Sequence, residues 1–183
     1  MLASTVSSKM ISQIANKEGF EFHETLTGFK WLGNKAIELE KQGKTVAFAF
    51  EEAIGYMLGS VRDKDGVSAL AVFCELALYL KKQGKSVKQF LESVYEEYGY
   101  SVTLNSYVIS RDTKKTDAMF EAFRRVDGQG APAYVDAIGG VKIVGIRDLT
   151  IGYDSTRPDK KPILPVSKSS HMITLTYDFS LPL

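Results

Sequence analysis

The chain has 183 residues, 44% of them hydrophobic and 25% charged, which fits one domain or two small ones built around a real core. Lys+Arg 23 against Asp+Glu 22 leaves a formal net charge of +1, which excludes a broad electrostatic footprint for nucleic acid or an acidic membrane surface, though not a local basic pocket. The single cysteine, Cys74, excludes an intrachain disulfide, and "MLASTVSSKM" lacks a secretory leader pattern, so a cytoplasmic protein is expected.

"SSKMISQIANKEG" opens with serines suited to N-capping, places Ile11, Ile14 and Ala15 on one helical face and stops at Gly19. "FEFHETLTG" begins with a short alternation that suits a strand and then turns polar. "WLGNKAIELEKQG" predicts a helix ending at Gly43, and "TVAFAF" a strand from Thr45 to Phe50. From Asp65 to Lys82 the pattern is helical and apolar nearly all round. Such a helix should lie against a sheet with other elements covering it, and "VSALAVFCELALYL", broken by Glu75, is too short to span a bilayer.

Ser86 and Gln89 form a capping-box pattern ahead of Phe90, Leu91, Val94 and Tyr95, a one-faced helix that Gly99 ends. Alternating helices and strands to this point indicate an α/β layer architecture. Beyond Tyr100 the texture changes. "SVTLNSYVIS" reads as a strand, "TKKTDAMFEAFRRVDG" as an amphipathic helix, and "GGVKIVGIRDLTIG" and "HMITLTYDF" as later strands. The Pro- and charge-rich "YDSTRPDKKPILPVSKSS" is a loop between them. A boundary near residues 100–104 separates a smaller α+β unit.

Several short patterns carry little chemistry. "QGKT" (Gln42 to Thr45) has Glu38 where a phosphate-binding P-loop needs glycine, and it precedes a strand rather than following one; a helix stop is the better reading. Cys74, inside the most apolar helix, is expected to be a buried, inert thiol. His23 and His171 lack partners at metal-ligand spacing.

Two stretches leave a choice. "TLTGFKW" (Thr25 to Trp31) is either a helix-entry turn with Trp31 packed inward or a backbone-exposing loop beside a polar ligand, with Thr27, Gly28 and Lys30 as its polar groups. Glu51 and Glu52 directly follow a strand, and ligands of α/β sheets bind beyond the carboxyl ends of strands. A carboxylate accepts hydrogen bonds at two oxygens, which suits neighbouring sugar hydroxyls, and Arg62 and Lys64 further on suit an anionic group such as phosphate. On residue chemistry alone a solvated loop with local ion pairs stays slightly ahead of a recognition site.

Together, "LASTVSSKM", "KEGFEFHETLTGFKW", "FAFEEAIGYM", "DKDGVSA", "YEEYGY", "IRDLTIGYD", "PDKK" and "SKSSHMIT" resemble the α-D-phosphohexomutase superfamily. The likeness is strongest to the branch of eukaryotic phosphopentomutase, phosphoglucomutase type two and glucose-1,6-bisphosphate synthase, and it covers nearly the whole chain in the family's order. It implies an α/β fold: residues 1–102 as the second part of an α/β/α sugar-recognition domain, the family's domain three, and 103–183 as the start of an incomplete α+β C-terminal domain. The family's sugar loop falls on Phe50 to Tyr56, which gives Glu51 a sugar hydroxyl to bind. Ala53 replaces the serine of many relatives, as in the phosphopentomutase branch. Thr27 falls on the threonine of the family's Thr-Gly-aromatic-Lys loop, and Lys64 on its substrate-contacting lysine. The substrate-binding set implied is therefore Thr27, Gly28, Lys30, Glu51, Glu52, Arg62 and Lys64; "DLTIGYD" receives no role.

The implied activity is that of an isomerase of carbohydrate metabolism, an intramolecular phosphotransferase interconverting sugar 1-phosphates and 5- or 6-phosphates. A phosphoserine donates its phosphoryl group, the sugar bisphosphate reorients, and magnesium neutralises the transferring group. The implied partners are sugar phosphates and bisphosphates, with no nucleic acid and no membrane. The family's phosphoserine loop, its Asp-Gly-Asp magnesium loop and its Arg-x-Ser-Gly-Thr-Glu-Pro phosphate loop are not found in these residues. No catalytic residue and no Mg2+ ligand is therefore expected in this chain, and the polypeptide alone should be inactive. The alternative is a non-catalytic sugar-phosphate-binding or partner-binding module derived from such an enzyme.

Overall fold

The first strand is one that the sequence patterns pass over. In the computed structural model, which describes residues 1–126, 128 and 132–178, β1 (Leu2–Ser4) is buried along its length. It lies between β2 (His23–Thr25) and β3 (Phe48–Phe50), parallel to both. A three-residue strand buried on both faces has no alternation to detect, which is why "LAS" gives no signal. β4 (Tyr56–Leu58) pairs antiparallel with β3, so the sheet runs β2-β1-β3-β4.

The brevity of β1 corrects two strand expectations. "FEF" precedes the strand, because pairing begins only where Leu2 meets His23, with the His23 amide donating to the Met1 carbonyl at 3.0 Å. Thr45 to Ala47 stay outside β3, since β1 offers partners only opposite Ala49 and Phe50.

The helices of this unit are α1 (Met10–Glu18), α2 (Phe29–Lys41), α3 (Gly66–Lys82) and α4 (Val87–Tyr98). α2 buries Phe29, Leu32, Ala36 and Leu39, a stripe at helical period, against Leu2, Val46, Ala49 and Met57. Full burial of a Leu, Phe or Met side chain is worth about 1.5–3 kcal/mol, so this cluster holds the sheet to the helix. Gly33 lets α2 approach the next loop: a Cβ there would lie 2.3 Å from the Arg62 carbonyl oxygen.

α1 ends at Gly19, left-handed at φ 77°, whose amide donates to Ala15 O. Its start departs from expectation. Lys9 occupies the cap position with no side-chain cap bond, Ser8 Oγ accepts from the Met10 amide at 3.2 Å, and Ser7 turns inward. α4 has the expected capping box: Ser86 Oγ accepts from the Gln89 amide at 3.1 Å and Gln89 Oε1 from the Ser86 amide at 2.8 Å.

α3 forms, capped by Asp65 Oδ1, which accepts from the Val67 and Ser68 amides at 3.0 and 3.1 Å. The enclosure expected of it does not. Its main neighbours are β4 and α4, only Leu80 is buried, and Val67, Leu70, Val72, Phe73, Leu78 and Tyr79 remain exposed. Cys74 is exposed too, correcting the expectation of a buried thiol. Two neighbours cannot cover a helix that is apolar on all sides.

The chain divides into two compact units, Met1–Asn105 and Ser106–Leu183. Residues 101–110 form no strand, against expectation. Val102, Leu104, Tyr107, Val108 and Ile109 are all more than three-quarters exposed; an alternating pattern makes a strand only where a partner edge accepts its hydrogen bonds.

The second unit contains α5 (Thr113–Arg124), β5 (Ala137–Ile138), β6 (Val141–Asp148), β7 (Tyr153–Asp154) and β8 (Ile173–Tyr177). All its strand pairs are antiparallel, with β6 central. Tyr153 and Asp154, assigned to the loop by sequence, pair with Asp148 and Arg147. Asp127, at the end of the predicted helix, and Phe179, at the end of the predicted last strand, lie outside the described residues. The fold is mixed α/β, with parallel strands under helices in the first unit.

Candidate functional site

Because β1, β2 and β3 are parallel, their carboxyl ends share one edge, where Ser4 is in register with Thr25 and Ala3 with Phe50. The three segments that follow them are joined there. The Thr5 amide donates to Thr25 O at 2.8 Å, the Gly28 amide to Glu51 Oε1 at 2.7 Å, and the Glu52 amide to Ser7 Oγ at 2.9 Å. This is the position at which α/β sheets bind ligands.

Glu51 is 8% exposed. Gly28, the N-cap of α2, brings no side-chain cap to the helix start, and its own amide donates to the Glu51 carboxylate across the sheet edge. A negative group at a helix N-terminus is favoured by the aligned peptide dipoles. The second oxygen, Oε2, receives no hydrogen bond among the described residues.

Glu52 projects outward and its Oε1 accepts from Asn105 Nδ2 at 2.7 Å. The turn closes on itself through Glu51 N to Gly55 O at 3.1 Å and Ile54 N to Glu51 O at 3.2 Å. Ala53 and Ile54 form its exposed tip, with Ile54 at φ 86°, left-handed for a β-branched residue. Gly55 admits close neighbours: a Cβ there would meet the Phe29 ring at 2.4 Å and Lys64 Cγ at 2.8 Å.

Lys64 Nζ stands 5.2 Å from the centroid of the Phe29 ring and 2.8 Å from Asp63 Oδ1. That contact, with the Lys64 amide, holds the exposed Asp63 carboxyl below its usual range. Thr27 and Lys30 are exposed, and their side chains make no hydrogen bond or ion pair among the described residues.

Arg62 is placed differently. Its Nε donates to Glu40 Oε2 at 3.1 Å, its Nη2 pairs with Glu40 Oε1, and its Nη1 donates to Gly59 O at 2.6 Å and Val61 O at 3.1 Å. It fastens the loop to α2, and an anion would compete with Glu40 for it. The structure thus brings Gly28 to Glu51 and Lys64 to Phe29 and Gly55, and leaves Arg62 with Glu40.

Sequence reading missed Ser4 and Ser7, which are 1% and 4% exposed with hydroxyls 2.7 Å apart. In the sequence, helix capping accounts equally well for Ser7, and no pattern singles out Ser4. Of the two aromatics in "TLTGFKW", Phe29 packs inward, whereas Trp31 stays 36% exposed. "QGKT" forms the exit from α2, and Lys44 Nζ bonds Glu21 Oε1 at 2.8 Å. His23 Nε2 lies 3.0 Å from Glu21 Oε2.

In the second unit "DLTIGYD" is an anchor. Asp148, fully buried, accepts from Arg124 Nε at 2.6 Å, Tyr134 OH at 2.7 Å and the Thr150 amide at 2.9 Å. Burial pushes its carboxyl up, but the bonds from Arg124, Tyr134 and Thr150 outweigh that and hold it below the usual range. Arg124, 2% exposed, turns Nη1 and Nη2 toward His171 Nδ1, each at 3.2 Å. A guanidinium only donates, so Nδ1 accepts and the imidazole proton sits on Nε2, 2.8 Å from Asp117 Oδ1. Among the described residues no group of three or more His, Cys, Asp or Glu converges as a metal site.

A family model described as phosphoglucomutase/phosphomannomutase, alpha/beta/alpha domain III, matches residues 1–98. Human phosphopentomutase is 55% identical over 178 residues, covering 97% of this chain and 29% of its own. A probable phosphoribomutase of Schizosaccharomyces pombe is 53% identical over 175 residues, 95% of this chain and 30% of its own. Human glucose 1,6-bisphosphate synthase is 49% identical over 178 residues, 97% of this chain and 28% of its own. The chain therefore spans less than a third of the length of these relatives. Among solved structures, the open form of the Paramecium phosphoglucomutase pp63/parafusin superposes with a TM-score of 0.55 over 80% of this chain and 24% of that one. At 19% identity this is a likeness of fold.

Proposed function

The chain belongs to the phosphoglucomutase/phosphomannomutase family, and from that premise we propose that its first unit recognises the sugar of a sugar phosphate on behalf of a phosphosugar mutase. The observation that carries this is Glu51: a nearly buried carboxylate beyond the carboxyl ends of parallel strands, held by the Gly28 amide through one oxygen and with the other open to a hydroxyl. Relatives named phosphopentomutase, phosphoribomutase and glucose 1,6-bisphosphate synthase indicate pentose and hexose phosphates as the substrate class.

In this reading Thr27, Gly28, Lys30, Glu51, Glu52 and Lys64 face the substrate. Arg62 joins them only by exchanging Glu40 for a phosphate. A mutase must hold its substrate in two orientations, and a carboxylate serves either, because it accepts from any adjacent pair of hydroxyls. Residues 1–102 are the recognition part of domain three, and 103–183 open the C-terminal domain.

The magnesium that the family resemblance implies does not fit the donors described, since no acidic cluster is present among them. In this reading the chain binds the sugar phosphate without turning it over. Titration of the chain with ribose 1-phosphate, glucose 1-phosphate and glucose 1,6-bisphosphate, alongside an assay for phosphoryl migration, tests both halves. Saturable binding without conversion is expected; no binding removes the recognition role, and conversion removes the inactivity.

A further inference from the structure

The loop that carries Glu51 and Glu52 has to be aimed as well as formed. Its internal bonds, Glu51 N to Gly55 O and Ile54 N to Glu51 O, close the turn but do not fix it relative to β1. Ile54 holds a left-handed conformation that a β-branched residue keeps only where its surroundings impose it.

The external anchor comes from the segment after β1. Ser7 Oγ accepts from the Glu52 amide at 2.9 Å, 45 positions away in sequence, and lies 2.7 Å from Ser4 Oγ. The Ser7 amide donates to Ser4 O at 3.0 Å, which locks the serine segment onto the end of the strand. Both serines are buried, so the hydroxyl pair is shielded from competing water and neither member is easily replaced by solvent. Ser7 Oγ accepts from the Glu52 amide and shares a second hydrogen bond with Ser4 Oγ, so two partners hold the oxygen in place.

We infer that Ser7 is a positioning residue for sugar recognition: its hydroxyl fixes the Glu51–Glu52 peptide and, through it, the aim of the Glu51 carboxylate. This rests on the reading in which Glu51 binds the sugar. Gly28 grips one oxygen of Glu51 and Ser7 the following amide, so the carboxylate is held from two strand ends at once. Without the hydroxyl, the Glu52 amide loses its acceptor, the peptide swings, and the open oxygen no longer faces a fixed point.

The test compares Ser7→Ala, Ser4→Ala and Ser7→Thr in the full chain, with ribose 1-phosphate and glucose 1-phosphate as probes. Affinity is read by calorimetry, stability by thermal melting, and exchange of the Glu52 to Gly55 amides by NMR. Ser4→Ala disturbs the same buried pair but leaves the acceptor of the Glu52 amide in place. Ser7→Ala is expected to weaken binding about tenfold and to speed exchange at Glu52, with Ser4→Ala within about twofold of the parent and Ser7→Thr restoring most of the loss. Equal losses in Ser4→Ala and Ser7→Ala that follow their melting temperatures would overturn the inference, as would unchanged affinity in Ser7→Ala. If the parent chain binds neither probe, the sugar-phosphate reading fails on its own. Exchange then decides Ser7: faster exchange of Glu52 in Ser7→Ala alone supports the anchor, and unchanged exchange overturns it.

Discussion

Replacing Asp148 by asparagine tests how the second unit is held together. The carboxylate is fully buried and accepts four hydrogen bonds: from Arg124 Nε at 2.6 Å, Arg124 Nη2 at 3.3 Å, Tyr134 OH at 2.7 Å and the Thr150 amide at 2.9 Å. Asparagine keeps the shape but turns one acceptor into a donor and leaves the 2%-exposed Arg124 without its buried counter-charge. Breaking one side of a buried pair costs about 3–5 kcal/mol, against a total stability of about 5–15 kcal/mol for a domain. Glu121, 3.1 Å from Arg124 Nη1 but half-exposed, recovers little of this. Amide exchange along β6 and β8 measures the loss. A penalty under about 1 kcal/mol would mean that the pair is solvated and does little to hold the unit together. The same carboxyl sets an acid limit. Its folded pKa is depressed, so its contribution is present above the unfolded value of about 3.9 and disappears as pH falls through the lower folded value. Stability of this unit, followed by the same exchange, should fall on acidification below about pH 4 in the parent and much less in Asp148→Asn.

Two further outcomes follow from the first unit. Gly33→Ala places a Cβ 2.3 Å from the Arg62 carbonyl oxygen, a backbone atom that cannot step aside, so urea denaturation followed at Trp31 should show a loss of about 1–3 kcal/mol. Cys74, exposed on α3, should react with iodoacetamide in the folded chain at a rate close to that in denaturant; strong protection would contradict the open face described for that helix.

Sequence made legible what local chemistry decides. The Gly19 stop, the Ser86–Gln89 box and the helix of "WLGNKAIELEKQG" depend on neighbours within a few residues, and each is present. What it missed depends on partners distant in sequence. β1 is three residues long, so its assignment rests on β2 and β3 flanking it, while "SVTLNSYVIS" alternates like a strand but meets no edge. The apolar character of α3 was plain, but burial is a property of what packs on a helix, and β4 and α4 leave most of it open. At the site, Glu51, Gly28 and Lys64 were singled out by residue type and resemblance. The Gly28–Glu51 and Ser7–Glu52 bonds span 23 and 45 positions and become visible only when the strand ends converge.

The most direct measurement for the recognition role is calorimetric titration of the chain and of Glu51→Gln with ribose 1-phosphate and glucose 1-phosphate. Glutamine keeps an oxygen for the Gly28 amide, so the loop survives, while the charge offered to the sugar is removed. Charge-assisted hydrogen bonds contribute about 1.5–3 kcal/mol, so the parent is expected to bind and Glu51→Gln to bind about 10- to 150-fold more weakly, with a stability loss of about 1 kcal/mol or less from the lost charge at the helix start. Equal affinity of the two proteins for both sugar phosphates would contradict that role.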